Sequence, residues 1–428
     1  MEIVELYKIF LECGQVTTDS RNCPAGSMFI ALKGESFNGN TFAAAALAKG
    51  CAYAVVDEAE FATDSHIILV DDCLHTLQQL ANYHRRALGT KVIGITGTNG
   101  KTTTKELVST VLAQQFNVLY TLGNFNNHIG VPLTLLRLTP QHQIAVVEMG
   151  ANHPGEINTL VHISEPDYGL ITNVGKAHLE GFGSFEGVVR TKGELYDFLR
   201  QKPGSSIFLH NENPHLNAIA KGLETVRYGQ EEHLAVSGRL VSCSPYLSVA
   251  WQAGESSHRV DTHLIGSYNL DNLLAAICVG RYFGVPDDKI NAALSAYVPT
   301  NSRSQLKITE KNQLIIDAYN ANPTSMMAAL QNFRQLTADR KMLILGDMKE
   351  LGASSREEHL KVVTYLQECR FDAVRLVGSE FASVSSPYPV YPDVNALIAA
   401  IAAAPPQGYT ILIKGSNSMK LGTVVAYL

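Results

Sequence analysis

The sequence predicts an α/β protein of three domains, with a doubly wound central domain built on a P-loop and a Rossmann-like C-terminal domain. Three observations carry that prediction. At 428 residues the chain is too long for one ordinary core. From Lys91 onward, short apolar runs alternate with helical patterns, the rhythm of parallel sheets covered on both faces. The segment Gly94 to Thr104, GITGTNGKTTT, joins an apolar strand to a helix through a turn suited to phosphate.

Residues 1–86 alternate short strands with helix and close on the polar helical stretch Leu74 to Leu88, which stops at Gly89. The expected central domain covers 87–299. It opens with the strand Lys91 to Ile95 and a helix over Lys105 to Gln115, followed by strands at Gln143 to Glu148 and Tyr168 to Asn173. Residues 204–265 are β-rich, and a helix from Leu270 to Phe283 ends at Gly284 and Pro286. The expected third domain covers 300–428, with strands Leu314 to Asp317, Met342 to Leu345, Ala373 to Val377 and Tyr409 to Ile413 separated by helical segments.

Composition narrows the function classes. Apolar residues make up 46% and charged residues 17%, which describes a globular chain with material for several cores. A net charge of -6 without any Lys/Arg cluster argues against nucleic acid as a partner. The seven cysteines are scattered, with no C-x-x-C pair, as expected in a reducing cytoplasm. No apolar run approaches the roughly 20 residues of a membrane span, so neither a signal peptide nor membrane insertion is expected.

The P-loop is a variant. The strict pattern G-x-x-x-x-G-K-[ST] would place glycine at position 95, where this chain has Ile95. Gly97 and Gly100 allow the tight turn, Thr98, Asn99 and Thr103 lend backbone N–H groups, Lys101 supplies a point charge and Thr102 a hydroxyl for Mg²⁺. Ligands of doubly wound sheets sit at the carboxyl ends of strands, so polar residues just after apolar runs are the ones to weigh. Glu148 terminates such a run and is placed to hold Mg²⁺, though a helix cap or surface acid would read the same. His178 follows the next strand in a glycine-rich loop, where it is either a metal or phosphate contact or a satisfied polar residue. Lys192 lies on a helix with an apolar face at Leu195, Phe198 and Leu199, a position whose ordinary reading is a surface lysine. Asp317 ends another strand, and Tyr319, Asn320, Asn322 and Pro323 form a polar, non-acidic loop suited to a neutral or zwitterionic ligand, or simply to a turn. Asn124 to Pro132 is similarly rich in amides.

With GTNGKTTT, NFNNHIGVP, EMGA at 148–151, HLEGFGS at 178–184, TKGEL at 191–195, GSYNLDN at 266–272 and DAYNANPTSM at 317–326, the chain resembles the Mur ligases of peptidoglycan synthesis. The N-terminal TTDSRNCPAGSMFIALKGESFNGNTF and the C-terminal GDMKELG extend the resemblance over nearly the whole chain. It implies an ATP-dependent amide ligase working through an acyl phosphate. It also implies that Lys101 neutralises phosphate charge, that Thr102, Glu148 and His178 hold Mg²⁺, and that Lys192 is carbamylated by CO₂ into a carboxylate-like metal ligand. Asn269 and Asn272 fall at the adenine, Arg303 at phosphate and Asp317 at ribose. Ser20 and Arg21, with Lys33 and Gly34, fall at a uridine nucleotide.

Two departures from the family pattern stand out. Asn38 and Asn40 occupy positions where many relatives have the Asp and His of F-D-G-H. No D-N-P-R segment of the kind that reads a diamino acid is present, and DAYNANP favours the dipeptide-adding member, which joins D-Ala-D-Ala to UDP-MurNAc-tripeptide. Tyr319, Asn320 and Asn322, with Asn126 and Asn127, would then read the dipeptide, in a monomeric enzyme. A ligase adding a single amino acid, a nucleotide or sugar kinase, and a non-catalytic nucleotide-binding protein are the rivals.

Overall fold

The computed structural model describes residues 1–300 and 303–428, so Asn301 and Ser302 of the NSRSQL segment lie outside the described residues. A small parallel sheet comes first, with strands Val16–Thr17, Met28–Ile30, Tyr53–Val56 and Ile67–Leu69 side by side in that order. The Cys73–Leu88 helix follows, capped by the Asp72 carboxylate on the His75 N–H and ended by Gly89 in the left-handed region. It docks on the next unit through its polar groups. Arg85 Nε donates to the Ser164 carbonyl at 2.9 Å, and the His84 ring lies 2.9 Å from the Leu138 carbonyl. One apolar core runs without a break from Phe10, Phe29 and Leu80 to Val147, Leu195 and Leu199.

The central sheet has nine strands. From one edge they run Ser256–Ile265, Tyr246–Ala253, Val236–Cys243, Thr225–Gly229, Ser206–His210, Tyr168–Ile171, Lys91–Thr96, Ile144–Glu148 and Val118–Tyr120. The last seven pair in parallel, and the first three form an antiparallel ribbon that accounts for the β-rich stretch read at 204–265. From Lys91–Thr96 the chain moves to one side, then returns on the other as Tyr168–Ile171. A crevice opens at the carboxyl ends of strands where the order reverses in this way. Leu107, Val111, Leu274 and Ile277 fill the opposite face of this sheet.

The C-terminal sheet runs Gln305–Ile308, Gln313–Asp317, Thr410–Lys414, Lys341–Gly346, Ala373–Val377 and Val390–Tyr391, parallel except for its first pair. It is the Rossmann-like arrangement expected from the alternating pattern.

Two element boundaries differ from the sequence reading. The helix expected from Lys105 starts at Lys101, directly on Gly100, because the phosphate-binding turn fixes its first turn despite three β-branched threonines. The strand expected to reach Asn173 stops at Ile171, since Thr172 and Asn173 turn their side chains to the P-loop.

Candidate active site

The P-loop leaves the central strand at Thr96. Gly97, at φ +139°, passes so close to Thr172 that a side chain would overlap its hydroxyl. Gly100, at φ +79°, would place a Cβ 2.5 Å from Asn272 Oδ1. Thr172 Oγ1 donates to the Asn99 carbonyl at 2.6 Å, and Asn99 N donates to Asn173 Oδ1 at 3.0 Å. Lys101 Nζ bonds the carbonyls of Gly97 (2.8 Å) and Thr98 (3.1 Å), curling over the loop. Burial pushes its amine down to about 8, with Glu148 opposing that shift and Arg303 adding to it.

Glu148 ends the neighbouring strand and is 1% exposed. Its Oε1 accepts from Thr102 Oγ1 at 3.2 Å and Asn126 Nδ2 at 2.7 Å. Its Oε2 is buried with no partner. A buried carboxylate oxygen left unpaired beside a threonine hydroxyl is costly unless a cation completes it, so this pair fits Mg²⁺. Among the described residues no group of three His, Cys, Asp or Glu side chains converges as a metal site by itself. Oxygen from a bound phosphate is the natural complement.

His178 lies at φ +48°, a strained backbone for a non-glycine residue, and its Nδ1 is 2.5 Å from Glu350 Oε2. Contact with His178 holds the Glu350 carboxyl below the usual range. Lys176 lies 3.6 Å from Glu358, so both pairs join the central and C-terminal units.

Lys192 sits on the Phe185–Arg200 helix, but not at its surface. It is 2% exposed, donating to the Ala151 carbonyl at 3.2 Å with the Phe182 ring 5.2 Å from its Nζ. Burial drives its amine well below the ordinary lysine value, and the charge on Lys101 adds to the effect. Phe198 is only partly covered, so the buried face carries Lys192 in place of one expected apolar residue.

A cavity of about 930 Å³ spans these elements and the C-terminal sheet. The P-loop from Thr98 to Thr103, Asn126, Asn127, Glu148, His178, Asn269, Asn272, Arg303, Asp317, Tyr319, Asn320 and Asn322 all line it. Gly97 and Lys192 are not among its lining residues. Asn269 and Asn272 bond each other at 2.9 Å, and Asn272 Oδ1 accepts from Thr104 Oγ1 at 3.0 Å. Arg303 stacks on Tyr319, its guanidinium carbon 3.8 Å from the ring centre. Asn322 Nδ2 donates to Asn99 Oδ1 at 2.8 Å, while its Oδ1 caps the Pro323–Gln335 helix. The Asn127 Oδ1 accepts from Gly130 N at 2.8 Å within its own turn.

Ser20, Arg21, Lys33 and Gly34 lie in the N-terminal unit, outside this cavity. Arg21 pairs with Asp19 at 2.9 Å and holds that carboxyl at about 2. Lys33 meets Asp57 at 3.0 Å, and the Phe37 ring covers Gly34. The departures at Asn38 and Asn40 fall in a turn. Asn40 is fully buried, donating to Asp57 Oδ1 at 2.8 Å, and Asn38 donates to Glu58 at 2.8 Å.

Sequence reasoning missed Thr172, Asn173, Glu350 and Lys414. The first two follow an apolar strand, as Lys414 does, so the carboxyl-end rule was the available signal. Glu350 carries no such signal.

The architecture and site together define a P-loop enzyme whose phosphate cradle, buried carboxylate and hidden lysine face a second, Rossmann-like unit across one cleft. Family models described as Mur ligase middle domain, Mur ligase glutamate ligase domain and Mur ligase catalytic domain match residues 95–280, 302–417 and 12–85. UDP-N-acetylmuramoyl-tripeptide--D-alanyl-D-alanine ligase of Bacillus subtilis (strain 168) is 36% identical, covering 96% of this chain and 92% of its own. A crystal structure of MurF from Acinetobacter baumannii superposes with a TM-score of 0.88 at 31% identity, over 99% of this chain and 97% of the other. MurF ligase from Thermotoga maritima in complex with ADP gives 0.87 at 26% identity, over 97% of each chain. The chain belongs to the Mur ligase family.

Proposed function

We propose that the protein is an ATP-dependent amide ligase that joins D-alanyl-D-alanine to UDP-N-acetylmuramoyl-tripeptide, giving the pentapeptide precursor of peptidoglycan, ADP and phosphate. One observation carries the reading. The P-loop, Glu148 and the loop residues Tyr319, Asn320 and Asn322 face one cavity from two sheets, so a nucleotide and an amine can meet in it. The near full-length likeness to the B. subtilis ligase supports the substrate assignment, and the ADP complex of the T. maritima relative supports nucleotide binding.

The chemistry follows from charge. The terminal carboxylate of the tripeptide attacks the γ-phosphorus of ATP, the bond to the bridging oxygen breaks, and ADP leaves. Two anions must approach, which Lys101 and Arg303 make feasible from opposite walls. The amine of the dipeptide then attacks the acyl carbon, and the tetrahedral intermediate expels phosphate as the amine loses its proton. Thr102 and Glu148 would hold one Mg²⁺ and His178 help hold a second, where the ion neutralises phosphate charge. Asn269 and Asn272 take the adenine, Asp317 the ribose, and Ser20, Arg21, Lys33 and Gly34 the uridine nucleotide. Tyr319 and Asn320 read the dipeptide. Asn126, Asn127 and Asn322 line the same cavity beside them, each with one side-chain group bonded to Glu148, to its own turn or to Asn99.

Lys192 is the residue for carbamylation. A lysine adds to CO₂ only as the free amine, and burial favours that form here. Its nitrogen bonds the carbon of CO₂ and loses one proton, leaving an anionic carbamate in a pocket that Lys101 flanks. Mass analysis of intact protein held in bicarbonate, with Lys192→Ala as control, should show the adduct in the parent only. The P-loop, Glu148 and the C-terminal loop complete one cavity within a single chain, consistent with a monomer, and an ATP-consuming reaction on a nucleotide-linked substrate fits the cytoplasm. Among the described residues no helix is long and apolar enough to cross a membrane.

The test is product formation with Mg²⁺ and ATP. A product heavier by one dipeptide, formed only with all substrates present, supports the assignment, whereas product from a single amino acid would move the protein to another ligation step.

A further inference from the structure

Two cations line the C-terminal wall of the cavity, Arg303 and Lys414. Arg303 lies flat on Tyr319 and faces the phosphate side with Lys101. Lys414 is different. It ends the last strand of the C-terminal sheet, in register with Asp317 on the adjacent strand, and is 2% exposed. Its Nζ donates to Asp317 Oδ2 at 2.6 Å and to the Asn320 carbonyl at 3.3 Å. A protonated lysine carries three donors, and among the described residues the third meets no protein partner. The two that are used fix the ammonium beside the loop Ala318–Asn322, which brings Tyr319 and Asn320 to the cavity.

The amine substrate of the proposed reaction is a zwitterion. Its amine must reach the acyl carbon, and its carboxylate must leave water at the same moment. A carboxylate taken from water without an opposing charge is strongly disfavoured. On the P-loop side, Lys101 bonds the loop carbonyls and is reserved, on the ligase reading, for the phosphates. We propose that Lys414 receives the C-terminal carboxylate of the incoming dipeptide, with Asp317 holding the ammonium in place from behind. The inference rests on the ligase reading above. It makes Lys414 a substrate-binding residue that selects for a free carboxyl end, a role distinct from bracing Asp317 for the nucleotide.

The full-length protein tests this through two amine substrates, D-alanyl-D-alanine and its C-terminal amide, in the parent, Lys414→Met and Lys414→Arg. The parent should prefer the free acid in kcat/KM by about 10- to 100-fold, the effect of one charge-assisted hydrogen bond. Lys414→Met should lose that preference by raising KM for the acid over that for the amide, and Lys414→Arg should keep most of it; any rise in KM for ATP through the loosened Asp317 falls equally on both amines and leaves the acid-to-amide ratio unchanged. Should Lys414→Met fail to fold, Asp317→Asn combined with Lys414→Met removes both charges, and the acid-to-amide ratio remains readable even if ATP binds more weakly. A Lys414→Met protein that still prefers the acid, or one whose only defect is KM for ATP, overturns the inference. A parent protein that ligates neither amine overturns the ligase reading instead.

Discussion

Nucleotide binding should draw a proton onto Lys101. Burial holds this amine at about 8 in the free protein, so at pH 8 about half of the molecules carry it uncharged. Phosphate charge beside Nζ favours the ammonium and restores its ordinary, higher range. Uptake should therefore be roughly 0.1 proton per nucleotide at pH 7, about 0.5 at pH 8 and roughly 0.9 at pH 9. The sign follows from the direction of the shift: the free state releases the proton first, so affinity weakens as pH rises through 8, approaching about tenfold per unit. Titration calorimetry with Mg²⁺ and a non-hydrolysable ATP analogue, run at each pH in buffers of different ionisation enthalpy, reads the proton count directly. At pH 8 and above the analogue's phosphates are fully ionised and contribute none. Lys101→Arg should lose most of that uptake, because guanidinium stays charged throughout. Equal uptake in Lys101→Arg, or none in the parent at pH 9, would refute the reasoning.

Other outcomes can be measured alongside. Gly100→Ala should lower unfolding stability by about 1–2 kcal/mol for the left-handed backbone alone, and its Cβ should push on Asn272, weakening nucleotide binding further in a fluorescence titration. Glu148→Gln should leave the fold intact by circular dichroism, while kcat falls by about 10²- to 10³-fold and the Mg²⁺ needed for half-maximal rate rises. Asp347 is fully buried, bonding Lys349 Nζ at 2.9 Å and the backbone N–H of Glu380 and Phe381. Lys349 can turn to water, but the two backbone N–H groups lose their acceptor, so Asp347→Ala should cost about 2–4 kcal/mol in urea denaturation, and a loss under about 1 kcal/mol would contradict that burial argument.

The P-loop could be read from sequence because its chemistry is local. Two glycines, a lysine and a threonine between a strand and a helix leave few alternatives, and the structure puts both glycines at positive φ. The doubly wound sheets were legible for the same reason, each strand being a short apolar run with a clear stop. What depends on long-range packing was less legible. Lys192 shares the helical stripe of Val188, Leu195 and Leu199, yet the ordinary expectation for a lysine side chain is solvent, and its packing against Phe182 and the Ala151 carbonyl shows it buried. Asn322 reads as a ligand residue and does line the cavity, but its bonds to Asn99 and to a helix N-terminus join it to the P-loop across 223 positions, a pairing that no local pattern contains. Lys414 meets Asp317 only because the last strand inserts beside Gln313–Asp317, an order set by topology.

The central claim is an acyl phosphate formed at the tripeptide carboxylate. Its most direct test uses a UDP-MurNAc-tripeptide carrying ¹⁸O in its terminal carboxylate, with ATP, Mg²⁺ and D-alanyl-D-alanine, and mass analysis of the released phosphate. The account predicts one ¹⁸O atom in each phosphate, carried there from the attacking carboxylate. Phosphate free of label, with amide product still formed, would contradict it.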